Sequence, residues 1–119
     1  MRKIFHLSTC NTCQRIINEL DLHNRNVELQ DIKVQNVSEA ELDMMKEHEG
    51  SYEKLFSRRA MKFRSQGWHE KELSEQDYKR LILEEYTFLK RPVLVLEGEV
   101  FVGNTKKVVA LAKEKLDSE

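Results

Sequence analysis

The sequence predicts a mixed α/β domain over residues 1–119, made of a β-α-β unit, a helical insertion at about residues 37–90 and a closing β-β-α unit. Three observations support this class. Short apolar runs near both ends have the length of strands, apolar residues with helical spacing follow them, and two helix-start signatures fall in the middle. A chain of this length fits one domain, which buries roughly two-thirds of the surface that its unfolded form exposes.

The first 35 residues predict the β-α-β unit. A run that ends at polar residues predicts the first strand, with apolar side chains at Ile4, Phe5 and Leu7. The next apolar residues recur with helical spacing and predict a helix that runs to about residue 23: Cys13, Ile16, Ile17 and Leu20. A second strand follows around Val27, Leu29 and Ile32. Such a unit forms a right-handed crossover between parallel strands.

Residues 37–90 carry helical signals instead. Ser38 with Glu41 forms a capping-box signature, and Ser74 precedes a second stretch with helical spacing. The intervening residues 52–68 predict a short helix and a loop. This segment is therefore expected to be a helical insertion.

The C-terminal residues predict a hairpin followed by a helix. After Pro92, the apolar runs VLVL and VFV flank a turn around Gly98, which supplies the backbone freedom that such turns need. An amphipathic helix then begins near Asn104 or Thr105, either of which could cap it. The whole element order is that of a thioredoxin-like, mixed four-stranded sheet with helices on its faces.

Composition excludes several functional classes. The 20 basic and 21 acidic residues give a net charge of −1, so direct nucleic-acid binding is not expected. No segment has the apolar length of a membrane span, and the first seven residues are too short and polar for a signal peptide. A cytoplasmic protein is expected. In that compartment, two neighbouring thiols are more often reactive or metal-bound than joined in a structural disulfide.

The two cysteines lie in the stretch HLSTCNTCQR, residues 6–15, where the first strand gives way to the first helix. Unpaired amides and the helix dipole at such a position stabilise a thiolate, which favours Cys10 as a nucleophile. Cys13 lies one turn further on, so its thiol could resolve a mixed adduct on Cys10.

Two other interpretations of these cysteines remain open. Cys13 heads the apolar stripe of the helix, so it could be a core residue beside an idle Cys10 thiol. Alternatively, His6, Cys10 and Cys13 could supply three zinc ligands, but no second ligand pair follows them in the sequence. A reactive pair without a metal or an organic cofactor is the favoured interpretation.

Three motifs resemble those of the glutaredoxin-type arsenate reductases and their Spx relatives, over essentially the whole chain. Residues 6–13, HLSTCNTC, resemble the catalytic-cysteine loop, with His6 four residues before the nucleophile. Residues 55–59, LFSRR, resemble the mid-chain arginine motif, in which Arg59 is the best match. Residues 90–93, KRPV, resemble the arginine-proline entry to a strand, where the resemblance implies a cis-proline, Pro92, beside the reactive cysteine.

The resemblance implies a thiol oxidoreductase that acts on a small oxyanion or a disulfide, with glutathione and glutaredoxin or thioredoxin as the electron donor. Arg59 and Arg91 would bind the oxyanion, because guanidinium groups present fixed donors in a fork geometry. Their basic neighbours are more simply a solvated face: Arg58, Lys62 and Arg64. His6 could tune Cys10, although a strand histidine more often packs or forms a hydrogen bond.

The chain departs from the arsenate reductases at three places. Gln14 stands where family members usually have an arginine, residues 103–107 lack the third family arginine, and the CxxC pair is typical of the Spx branch. An Spx-like regulator, whose disulfide changes its affinity for RNA polymerase without substrate turnover, is therefore the alternative function.

Overall fold

A computed structural model describes residues 1–119, and its internal contacts divide the chain into two compact units. The sheet unit comprises residues 1–35 and 91–119, and the helical unit comprises residues 36–90. The helical unit spans the stretch that the sequence suggests as an insertion. That the two units form one domain stays a prediction.

The sheet unit contains four strands, β1 (Arg2–His6), β2 (Glu28–Asp31), β3 (Val93–Leu96) and β4 (Glu99–Val102). Their order in the sheet is β2-β1-β3-β4. β1 pairs in parallel with β2, whereas the β1–β3 and β3–β4 pairs are antiparallel. The predicted mixed four-stranded sheet is thus confirmed.

Five α-helices complete the fold: α1 (Asn11–Glu19), α2 (Glu39–Glu49), α3 (Met61–Ser65), α4 (Glu75–Glu84) and α5 (Lys106–Asp117). α1 and α5 belong to the sheet unit, and their apolar faces share one core with the strands. The buried residues of this core are Ile4, Ile16, Ile17, Leu20, Leu22, Val27, Leu94, Leu96, Ala112 and Leu116. None of the helices has the length and apolar character needed to cross a bilayer.

The prediction that the first helix runs to about residue 23 is wrong. α1 ends at Glu19, and Asp21 then adopts a left-handed backbone conformation with φ of 54°. That conformation cannot continue a right-handed helix. Leu22 lies in a short 3₁₀ turn after the helix and is fully buried in the core.

Local sequence explains the turn of the hairpin and the N-terminal cap of α5. Glu97 and Gly98 both have positive φ, 48° and 87°, as a two-residue type I′ turn demands. Of the two candidate caps of α5, Thr105 is the one used, because its hydroxyl accepts the Val108 amide at 3.2 Å.

The helical unit is organised around an aromatic cluster. Phe56 is 1% exposed, and its ring centroid lies 5.0–5.6 Å from those of Phe63, Tyr78 and Phe88. The predicted capping box at Ser38 is present, and a second one at Ser74 begins α4. The backbone segments that enter and leave the unit's short-helix region pair through Phe56 and Leu89.

Candidate active site

The loop between β1 and α1 places Cys10 at the start of the helix. The Cys10 amide donates to the Leu7 carbonyl at 3.0 Å, and the Cys10 carbonyl accepts the Gln14 amide at 3.1 Å as the helix begins. Cys10 itself is the N-cap, with extended backbone angles of −93° and 108°. Its sulfur therefore lies at the positive end of the α1 dipole, as the sequence predicts.

The surroundings of Cys10 favour its thiolate. Partial burial opposes ionisation, but the Cys13 amide, the Cys13 thiol and the Arg91 guanidinium together hold the pKa of Cys10 below its ordinary value. The Cys10 side chain makes no capping hydrogen bond at the helix start, yet the Cys13 amide still lowers the pKa of Cys10. A partly exposed thiol with a lowered pKa has the character of a nucleophile.

The surroundings of Cys13, in contrast, favour its neutral thiol. Its side chain is 0% exposed, and burial is the main cause that raises the pKa of Cys13 to about 12. The hydrogen bond and the charge of Cys10 raise it further, while the Leu7 amide and Arg91 act against them. Both cysteines are free thiols, so the structure is that of the reduced pair.

Arg91 and Pro92 are held from the far side of the hairpin. The Arg91–Pro92 peptide bond is cis. The Gly103 amide donates to the Pro92 carbonyl at 2.9 Å, and the Asn104 side-chain amide donates to the Arg91 carbonyl at 3.2 Å. These two bonds fix the backbone from which the Arg91 guanidinium reaches the Cys10 sulfur.

His6 makes its side-chain contact with Gln14. The Gln14 amide nitrogen lies 3.2 Å from His6 Nδ1 and donates to the Leu7 carbonyl at 3.1 Å. Burial is the main cause that lowers the pKa of His6, with Asp31 acting against it. No three His, Cys, Asp or Glu side chains converge as a group that could hold a metal ion.

Comparison with known proteins assigns the chain to a family. The sequence model of the ArsC family matches residues 5–111. The chain belongs to the ArsC family. A search of the curated proteins finds no match.

Solved structures share this fold. A protein described as a possible arsenate reductase from Streptococcus mutans UA159 is 26% identical, with a TM-score of 0.73 over 89% of this chain and 92% of that chain. The YFFB (PA3664) protein is 24% identical, with a TM-score of 0.80 over 94% and 98%. An arsenate reductase from Vibrio cholerae is 15% identical, with a TM-score of 0.78 over 92% and 95%. The thioredoxin-like fold of the ArsC family is therefore the fold of this chain.

Of the predicted site residues of this ArsC-family chain, the structure brings Cys10, Cys13 and Arg91 together. Arg59 lies in the helical unit, exposed and without a hydrogen bond or an ion pair. Its neighbour Arg58 instead pairs with Glu53 at 2.8 Å and donates to the Tyr78 hydroxyl at 2.7 Å. The joint action of Arg59 with Cys10 stays a prediction.

Two residues of the site are not apparent from the sequence of this ArsC-family chain. In the sequence, Gln14 is notable only because it stands where family members usually have an arginine. Its side-chain contacts with His6 and Leu7 depend on the conformation of the loop, which the sequence does not specify. The sequence suggests Asn104 as a candidate helix cap, but its side-chain amide donates a hydrogen bond to the Arg91 carbonyl instead. Its position directly after the predicted hairpin is the one sequence feature that points to this contact.

Proposed function

We propose that this chain is a thiol-dependent oxidoreductase that reduces a small oxyanion such as arsenate, with Cys10 as nucleophile and Cys13 as resolving thiol. One observation carries the proposal: a partly exposed thiol of lowered pKa meets a guanidinium and a second, buried thiol at a helix start. Membership of the ArsC family supports the same reaction class.

The chemistry balances with two thiols and one oxyanion. The Cys10 thiolate attacks arsenic(V), a sulfur–arsenic bond forms, and an arsenate oxygen leaves as water after protonation. Cys13 then attacks the Cys10 sulfur, forming a disulfide and breaking the sulfur–arsenic bond. The bonding electron pair leaves with arsenic, which departs as arsenite, so two thiols are oxidised while arsenic(V) becomes arsenic(III). An external thiol donor reduces the disulfide again.

The raised pKa of Cys13 suits an order in which Cys10 reacts first. Cys10 contributes to that rise through its hydrogen bond and its charge, and both disappear when its sulfur is bonded to substrate. The Leu7 amide and Arg91 remain, and both favour a Cys13 thiolate. Reaction at Cys10 therefore lowers the barrier to ionising Cys13 at the step that needs it.

Arg91 and Arg59 are the proposed oxyanion ligands. The Arg91 guanidinium lowers the pKa of Cys10, and the exposed Arg59 guanidinium forms no ion pair with a carboxylate. The third family arginine is missing, and one charge-assisted hydrogen bond contributes roughly 1.5 to 3 kcal/mol. Its absence at a transition state lowers the rate by roughly one to two orders of magnitude, so weak arsenate turnover is expected.

The proposed electron donor is glutathione with glutaredoxin, or thioredoxin. Both supply the two electrons that reopen a Cys10–Cys13 disulfide. The comparisons give no support for RNA polymerase as a partner, and the Spx-like alternative rests on the CxxC resemblance alone.

Steady-state arsenate reduction with each donor tests the proposal. Wild type should turn over slowly, Arg91→Ala more slowly, and Cys10→Ser not at all. Lys106→Arg should raise the rate, because it restores a guanidinium near the position of the missing arginine.

If wild type, Arg91→Ala and Lys106→Arg all equalled the Cys10→Ser blank while wild type still cycled its disulfide, arsenate reduction would be excluded. The redox-switch alternative would then replace it.

A further inference from the structure

Gln14 connects the end of β1 to the start of α1 through one side-chain nitrogen. That nitrogen lies 3.1 Å from the Leu7 carbonyl oxygen and 3.2 Å from His6 Nδ1. A carbonyl only accepts hydrogen bonds, so the nitrogen end of the amide must face Leu7. The orientation of the Gln14 amide is thereby determined, and its second N–H is left for His6.

This orientation determines where His6 carries its proton. Because Gln14 donates to Nδ1, that ring nitrogen must be an acceptor, and the proton of the neutral ring lies on Nε2. A doubly protonated ring would direct an N–H against the Gln14 N–H. Protonation of His6 therefore requires the Gln14 contact to break.

The same contacts reach the Cys10 loop. The Leu7 carbonyl that accepts from Gln14 also accepts the Cys10 amide at 3.0 Å, and the Leu7 amide acts on the Cys13 sulfur. Gln14 further donates its backbone amide to the Cys10 carbonyl at 3.1 Å. Displacement of the Gln14 side chain would thus release the residue to which Cys10 is tied.

The charged and titratable groups around His6 do not compensate for a lost Gln14 contact. Asp31, on β2, favours the charged ring, whereas His23, in the 3₁₀ turn after α1, disfavours it. Asp31 is itself engaged by the Ser8 amide at 3.4 Å and the Lys33 amide at 3.1 Å. Gln14 is accordingly the contact that selects the Nε2–H form of His6.

We propose that Gln14 is a positioning residue for Cys10: its side chain holds His6 in the uncharged Nε2–H form and, through the Leu7 carbonyl, keeps the nucleophile loop in its reactive shape. The proposal rests on Cys10 being the nucleophile. It assigns a role to the position where the sequence departs from the usual arginine.

The test combines ¹⁵N NMR of the His6 ring with the alkylation rate of Cys10 by iodoacetamide in a Cys13→Ser background. Wild type should show Nε2–H. Gln14→Glu should shift the ring toward Nδ1–H, because a carboxylate accepts a hydrogen bond from Nδ1. Gln14→Leu should remove the tautomer preference. Both variants should alkylate more slowly by roughly twofold to tenfold, the effect of one net hydrogen bond.

Arg15→Gln is the matched control, since residue 15 is exposed on the same helical turn and should change neither measurement. A wild-type ring in the Nδ1–H form would overturn the proposal without any variant. So would a Gln14→Leu protein with unchanged tautomer and unchanged alkylation. Neither readout uses arsenate, so absence of arsenate turnover would refute the proposed substrate and leave the role of Gln14 intact.

Discussion

The cysteine loop, residues 6–14 with Arg91, and the aromatic cluster of the helical unit use polar and charged groups in opposite ways. Around the aromatic cluster, cations pair with carboxylates, as in the 2.6 Å contact between Lys62 and Glu85. In the cysteine loop, backbone amides and a guanidinium act on two sulfur atoms instead. The candidate site thus directs its polar groups at two sulfur atoms, whereas the helical unit directs its cations at carboxylates.

The largest expected effect is the difference in reactivity between the two thiols. Cys13 has a pKa of about 12 and no exposed surface, whereas the pKa of Cys10 is below its ordinary value. Because thiolate fraction changes tenfold per pKa unit, iodoacetamide should modify Cys10 roughly a thousandfold faster or more.

Mass spectrometry of peptides from briefly alkylated folded protein measures this ratio. Urea-unfolded protein is the control, in which both cysteines should react alike. Comparable labelling of the two cysteines in the folded protein would contradict the assigned states.

Phe56→Ala should break the helical unit. It removes a fully buried ring that contacts three others, and such truncations cost about 3–5 kcal/mol of unfolding free energy. Urea unfolding followed by circular dichroism measures the loss. Arg80→Ala is the control, because its ion pairs with Asp77 and Glu84 are exposed and should contribute at most about 1 kcal/mol. Equal losses from the two changes would show that the rings do not hold this unit together.

The adjacent arginines 58 and 59 sharpen the comparison within the helical unit. Arg58→Ala removes an exposed pair with Glu53 and a part-buried hydrogen bond to the Tyr78 hydroxyl, so a stability loss of about 1 to 3 kcal/mol is expected, with unchanged turnover. Arg59→Ala removes no such contact. Its arsenate kcat/KM should fall by roughly one to two orders of magnitude with unchanged stability. The reverse pattern would transfer the proposed oxyanion contact to Arg58.

Most of the fold is predictable from the sequence because its signals are local. Strand runs, the Ser38 capping box and the turn at Gly98 each depend on residues a few positions apart, and each is present. The end of α1 is not predictable in this way. Leu22 falls outside the helical spacing of Cys13, Ile16, Ile17 and Leu20, yet it is buried because the backbone leaves the helix at Asp21. Helical spacing identifies the buried residues of a continuing helix, but it does not show where the backbone turns away.

The candidate site likewise contains some residues that the sequence predicts and some contacts that it does not. Cys10 at a helix start and Arg91 beside Pro92 follow from their positions relative to predicted elements. The bridge from Gln14 to His6 and the bond from Asn104 to the Arg91 carbonyl depend on how loops fold back over 8 and 13 residues. Such contacts have no sequence periodicity, so only the folded backbone identifies them.

The smallest expected effect is a pH dependence that differs between the two regions. Burial lowers the pKa of His6, so the unfolded chain takes up a proton at higher pH than the folded chain does. Its contribution to stability is therefore complete above about pH 6.5 and is lost as pH falls, by at most about 1.4 kcal/mol per pH unit.

In the helical unit, the Tyr52 hydroxyl and Lys79 lower the pKa of Asp43, so the contribution of the Asp43 carboxyl to stability is present above about pH 4 and is lost only in stronger acid. Urea unfolding at a series of pH values should show that His6→Gln flattens the slope below pH 6.5, whereas Asp43→Asn flattens only the acid limb. If the slope below pH 6.5 were unchanged in the His6→Gln protein, His6 would take up its proton equally well in the folded and unfolded chains. That result would contradict the lowered pKa of His6.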